Sequence, residues 1–135
     1  MIGLDTNVLV RYLAQDDARQ AARATRLIEQ ELNASAPGFV SLIVLVELCW
    51  VLKRLYAATE DELRETAQGL LDMPQLQLER RDVVQAVLRP GKGSKRGKAG
   101  FADSLITQTA LAQGCSKVVS FDMTAVRDAG MVLLS

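Results

Sequence analysis

Four acidic residues stand at places where a carboxylate needs a reason. Asp5 ends the opening apolar stretch MIGLD, and Glu47 interrupts the run LIVLVELCWVL. Asp103 lies in GFADSLI, just after a glycine-rich basic segment, and Asp122 ends VVSFD. An ionised carboxylate among apolar neighbours is costly unless a cation or hydrogen-bond donors compensate it. None of the four has a basic residue three or four positions away. Taken together they offer an oxygen-only donor set, which suits Mg²⁺ or Mn²⁺. Each also has an ordinary explanation. Asp5 and Asp122 suit the N-caps of following helices, and Asp103 suits the positive end of a helix dipole. Glu47 suits an ion pair or a subunit contact.

The chain contains no histidine. That removes Ser-His-Asp and Cys-His nucleophilic machinery, His-ligated zinc and the usual general base near neutral pH. For a hydrolase, carboxylates and a hard cation are the chemistry that remains.

The elements that must position these acids alternate between strand and helix. Ile2 to Leu4 reads as a short strand and Thr6 to Ala14 as a helix. A second helix runs from Asp16 or Asp17 to Leu32, with Arg19, Arg23, Arg26 and Glu29 opposite Ala22, Leu27 and Ile28. Phe39 and Val40 form a short strand that ends on Ser41, an N-cap type. Leu42 to Tyr56 is too long for a strand and apolar almost all round, so it is expected to be a buried helix, with Trp50 in the core. Thr59 and Glu62 make a capping box for the next helix, and Pro74 breaks the pattern before a helix over Arg81 to Leu88. After the loop RPGKGSKRGKAG a helix spans Ala102 to Gln113, stopped by Gly114. Its Asp103, Ile106 and Ala110 share one stripe, expected to face the core. KVVSFD is a strand, followed by a short helix and a terminal strand in MVLLS. This alternation predicts an α/β fold: a three-layer α/β/α sandwich with a short parallel sheet. In such sheets ligands bind at the carboxyl ends of the strands, where Asp5 and Asp122 stand.

The totals bound the rest. A chain of 135 residues predicts one domain spanning 1–135, and 49% hydrophobic with 24% charged residues is ordinary globular composition. Sixteen basic residues balance sixteen acidic ones, so any attraction for nucleic acid must be local. No segment has the apolar length of a membrane span, and no signal peptide is evident. Cys49 and Cys115 read as reduced thiols, which predicts a cytoplasmic protein without membrane association.

With these residues in view, the chain resembles the PIN-domain ribonucleases, in particular the VapC-type toxins of bacterial toxin–antitoxin pairs. The matching pieces are LDTNVLVRYL, SLIVLVELCWVL, KAGFADSLI and GCSKVVSFD, in the family's order over nearly the whole length. The resemblance implies a PIN-like fold and an acidic quartet at Asp5, Glu47, Asp103 and Asp122. Of these, Asp5, Asp103 and Asp122 would hold Mg²⁺ or Mn²⁺, with Thr6, Asn7 and Ser120 as their polar companions. Two departures stand out. Gly100 occupies a position that is acidic in many relatives, and MTAV follows Asp122 where an Asp-Phe pair is often found. The implied activity is endonucleolytic cleavage of RNA, with a cognate antitoxin and a second copy of the chain as partners.

A physical route for that activity exists. A cation held by the acids would lower the pKa of bound water and polarise the phosphate, and Glu47, with its pKa raised by an apolar helix, would accept a proton. Arg89, Lys92, Lys95, Arg96 and Lys98, with no acid among them, would contact the RNA backbone. Their bland alternative is a solvated loop. Aromatics are only 4% of the chain, so base stacking should be limited. Two other classes stay open. One is an inactive PIN-like interaction module whose acidic pocket binds a partner arginine. The other is a phosphatase with Asp5 as nucleophile, which DTN fits poorly for lack of a second Asp.

Overall fold

A computed structural model of the chain describes residues 1–89 and 100–135. The described residues form two compact units, one of residues 1–58 and 66–81, the other of residues 59–65 and 82–135.

The first unit is built on three parallel strands. Strand β1 (Ile2–Gly3) pairs with β2 (Gly38–Val40), which pairs with β3 (Leu76–Leu78), giving the order β1-β2-β3. Register is set by Gly3 opposite Phe39 and Phe39 opposite Gln77. The central strand needs a glycine at its start. A Cβ on Gly38 would stand 2.8 Å from Leu32 Cδ1 and 2.9 Å from Leu4 Cδ1, so the side chains that seal this strand leave no room for another.

Helix α1 (Thr6–Ala14) follows β1 at once, and α2 (Ala18–Arg26) begins after Asp17, whose carboxylate accepts the Gln20 N–H. The second helix does not stay α-helical to Leu32. Leu27–Glu31 forms a π-helical turn closed by Leu32 N–H to Leu27 C=O at 2.9 Å, which keeps Ile28 fully buried. Helix α3 (Leu42–Tyr56) starts where β2 ends, with Ser41 Oγ accepting the Val44 N–H at 3.1 Å. Its core stripe is Leu45, Leu48, Cys49 and Leu52, an i, i+3, i+4, i+7 spacing that puts all four on one side. Each fully buried leucine of this kind contributes about 1.5–3 kcal/mol of hydrophobic stabilisation.

The opposite side of α3 is solvent-facing, which corrects the expectation of a helix buried all round. Ile43 is 81% exposed and Trp50 63% exposed, so Trp50 is not a core residue. Leu55 is exposed as well, while Leu52 is buried. The apolar composition of LIVLVELCWVL conceals an ordinary two-sided helix, because the buried side cannot be read from residue type where both faces are apolar.

Helix α4 (Glu60–Asp72) opens with the expected capping box: Glu62 N–H donates to Thr59 Oγ1 and Thr59 N–H to Glu62 Oε1. Its Ala67, Leu70 and Leu71 are core residues of the first unit, and its Leu63 and Arg64 belong to the second. Strand β3 was not expected, since the segment after Pro74 is too short to display an alternation. Its buried Leu76 and Leu78 flank an exposed Gln77, as a half-buried strand requires.

The second unit gathers Leu63, the α5 (Arg81–Leu88) residues Val83, Val84, Val87 and Leu88, and Phe101 and Leu105 of α6 (Phe101–Ala112) into a core. Arg64, 8% exposed, lies with its guanidinium 5.6 Å from the Phe101 ring centre and donates to the Val87 carbonyl. The cation–π contact and the hydrogen bond both offset the cost of burying the guanidinium. Strand β4 (Val119–Ser120), helix α7 (Met123–Asp128) and β5 (Val132–Leu133) follow, with β4 and β5 paired in parallel. The described residues thus carry two parallel ladders, β1-β2-β3 and β4-β5. Among those residues no helix is long and apolar enough to cross a membrane.

Candidate functional site

The carboxyl ends of β1, β2 and β3 lie at one edge of the first unit, because all three strands are parallel and in register. Each end carries a polar residue: Asp5 after β1, Ser41 after β2 and Glu79 after β3. Asp5 is exposed and caps α1, its Oδ1 accepting the Thr6 N–H at 2.8 Å, which leaves Oδ2 outside that bond. Capping and ligation are therefore compatible for this residue. Thr6 is buried, and its Oγ1 has no hydrogen-bond partner among the described residues. A buried hydroxyl left unbonded would cost about 1–3 kcal/mol. Asn7 is exposed on the first turn of α1.

Glu47 lies on the exposed side of α3 with Ile43 and Trp50, at i−4 and i+3. It faces water, contrary to the reading that an apolar helix would bury it. Six residues of helix separate it from Ser41, roughly 9 Å of axial rise from the strand edge. The position of α3 itself is secured by Glu79, whose Oε1 accepts the Leu42 N–H at 2.9 Å. Glu79 was not singled out from the sequence. The bond joins residues 37 apart, and no local signal carries it.

In the second unit, Asp103 sits in the first turn of α6 and is half-buried. Its own backbone carbonyl accepts the Thr107 hydroxyl at 3.2 Å. The stripe expected to carry it inward is not the core stripe: Ile106 is exposed, and Phe101 and Leu105 are buried instead. The N-cap of α6 is Gly100, which has no side chain with which to cap. Glu60 supplies the missing acceptor, taking the Phe101 N–H on Oε2 at 2.8 Å. A Cβ on Gly100 would stand 3.2 Å from Asp103 Oδ2, so the carboxylate occupies the space that the glycine leaves.

Asp122 is exposed and caps α7, accepting the N–H groups of Thr124 at 2.9 Å and Ala125 at 3.5 Å on Oδ1. Ser120 Oγ accepts the Asp122 N–H at 2.9 Å. The serine thus fixes the backbone of the aspartate, and the two residues expected to work together are in contact.

The first unit therefore holds Asp5, Thr6, Asn7 and Glu47, and the second holds Asp103, Ser120 and Asp122. Arg89 is exposed just after α5. Lys92, Lys95, Arg96 and Lys98 lie outside the described residues. Within neither unit do three or more His, Cys, Asp or Glu residues of the described set form a group able to enclose a metal ion. Carboxylates are the donor type a hard cation of the Mg²⁺ class accepts, and such a cation keeps several waters and is held through one or two carboxylates alongside substrate phosphate oxygens. Cys49 is buried and Cys115 exposed, and neither forms a disulfide among the described residues.

None of the curated proteins compared with the chain matches it. A family model described as PIN domain matches residues 2–127. The alternation of strand and helix, with a short parallel sheet, is consistent with a PIN-like α/β/α fold.

Proposed function

Because the chain belongs to the PIN-domain family, whose members are generally metal-dependent nucleases, we propose that it is a Mg²⁺- or Mn²⁺-dependent endoribonuclease and the toxin of a type II toxin–antitoxin pair. The observation that carries this reading is the position of Asp5. It terminates a strand at the edge where three parallel strands end, the edge at which sheets of this kind take their ligands. Asp122 ends β4 in the same manner.

In this proposal Asp5, Asp103 and Asp122 are the metal-holding residues and Glu47 completes the acidic set. A bound cation supplies Lewis acidity toward the phosphate and a lowered pKa for water. Glu47, exposed on α3, accepts the proton of the attacking water through its carboxylate. Thr6 and Asn7 orient Asp5, and Ser120 holds Asp122 by its backbone. Arg89 and the four cations of the following segment pair with phosphates and position the strand without reading its sequence. The cognate antitoxin and a second copy of the chain are the proposed partners. The exposed apolar side chains of α3, Ile43, Trp50 and Leu55, support such contacts.

The test is metal-dependent cleavage of a mixed RNA substrate by the purified chain. Asp5→Asn and Asp103→Asn should each lower kcat by on the order of 10²-fold or more while the variants stay folded. Absence of cleavage by the parent chain, with tight binding of an arginine-bearing peptide, would leave an inactive interaction module in its place.

A further inference from the structure

A cavity of about 350 Å³ lies between α1 and α2 in the first unit. Helix α1 contributes Asn7, Val8 and Arg11 to it, α2 contributes Gln20, Arg23 and Ala24, and Leu27 of the π-helical turn completes the lining. These are residues one turn apart on each helix, so the two lining faces follow from helical periodicity alone. The cavity has no acidic lining residue and is of the size of small-ligand sites, which start near 300 Å³.

Its two guanidinium groups each have an acidic partner. Arg11 Nε donates to Gln20 Oε1 at 2.7 Å across the two helices, and its Nη1 meets Asp16 Oδ1 at 3.2 Å. Arg23 Nη1 meets Glu31 Oε2 at 2.8 Å. Asp16 and Glu31 are not lining residues; they anchor the arginines from outside the cavity. A guanidinium held in this way has lost part of its freedom before binding, and its remaining N–H groups and flat face are available to a ligand. Val8 and Leu27 supply apolar wall beside them. An anionic group attached to a flat, partly apolar body meets every part of this lining. Asn7, at the cavity, is two residues from Asp5.

We propose that this cavity is a subsite for one nucleotide of the RNA substrate, its phosphate paired with Arg11 and Arg23 and its base against Val8 and Leu27. The assignment rests on the ribonuclease reading above. It gives the chain a means of positioning RNA that uses neither its scarce aromatic residues nor the basic segment after α5.

The test uses the full chain in an Asp5→Asn background, a fluorescein-labelled single-stranded RNA of eight nucleotides, and adenosine 5′-monophosphate as competitor. Arg23→Gln, at a side chain more than half exposed, should leave the fold intact by thermal denaturation. It should weaken RNA binding about tenfold and reduce the slope of log affinity against log salt by about one. Arg19→Gln, on α2 but outside the cavity, should change affinity less than about twofold. In the cleaving chain the Arg23→Gln effect should fall on KM more than on kcat.

Unchanged RNA affinity and KM in Arg23→Gln, with the parent chain still cleaving, would overturn the subsite and leave the nuclease standing. RNA binding that depends on Arg23 but is never followed by cleavage would keep the subsite and remove the nuclease. A parent chain that ignores RNA and instead binds a glutamate-rich peptide through Arg23 would overturn both.

Discussion

The carboxylate of Glu60 accepts the Phe101 backbone N–H at 2.8 Å, so the first turn of α4 caps the helix that carries Asp103. The glycine at the N-cap of that helix cannot do this for itself. Glu60→Ala should therefore cost about 1–2 kcal/mol, the range for a charged cap partly withdrawn from water, and Glu60→Gln, which keeps an acceptor, should cost less. Urea denaturation measures the difference. Amide exchange should localise it: Phe101 through Ser104 should lose protection in Glu60→Ala before the middle of α6 does.

Gly100 makes a second prediction at the same helix end. Its φ of −63° is ordinary for any residue, so alanine meets no backbone strain there. The added methyl would press on Asp103 Oδ2 at 3.2 Å and force the carboxylate aside by a few tenths of an ångström. Gly100→Ala should change unfolding free energy by less than about 1 kcal/mol, yet lower metal-dependent cleavage severalfold if Asp103 holds the cation. Equal activity in the two proteins would count against that role for Asp103.

At the other end of α3, the Tyr56 hydroxyl donates to Asp16 Oδ2 at 2.6 Å, tying the helix terminus to the α1–α2 turn. The hydrogen bond from Tyr56 is the main reason that the Asp16 carboxyl titrates below its ordinary value of 3.8, and Arg11 adds to it. The same bond is the main reason that the Tyr56 hydroxyl titrates above its ordinary value of 10.0. The signs follow from linkage. A lowered carboxyl pKa stabilises the fold above the unfolded value, and that contribution is lost as pH falls through the folded one. A raised phenol pKa stabilises below the unfolded value, and that contribution is lost as pH rises through the folded one. The difference in thermal stability between the parent chain and Tyr56→Phe should be flat from about pH 5 to pH 9 and shrink on both sides.

What the sequence disclosed and what it hid divide along the range of the interactions. Helices α1, α3 and α5 begin and end where local signals put them: caps at Asp5 and Ser41, and an apolar period that needs no knowledge of the rest of the chain. The Thr59–Glu62 capping box is likewise a contact between near neighbours. Strand β3 is three residues long and owes its existence to β2, so nothing within Leu76–Leu78 announces it. The side of α3 that meets water was hidden for a related reason, since Ile43 and Trp50 are apolar and only packing distinguishes them from Leu45 and Leu48. Among the acids, position at a strand end was legible for Asp5 and Asp122. The supporting roles of Glu60 and Glu79 were not, because each reaches across 41 and 37 residues respectively to a backbone N–H.

Trp50 is the single tryptophan of the chain, and it stands three residues from Glu47 on the open side of α3. The protein therefore carries its own optical reporter. Its emission should be that of a largely hydrated indole, readily quenched by acrylamide, and a blue shift on adding a binding partner would mark the moment that this side of the helix is covered.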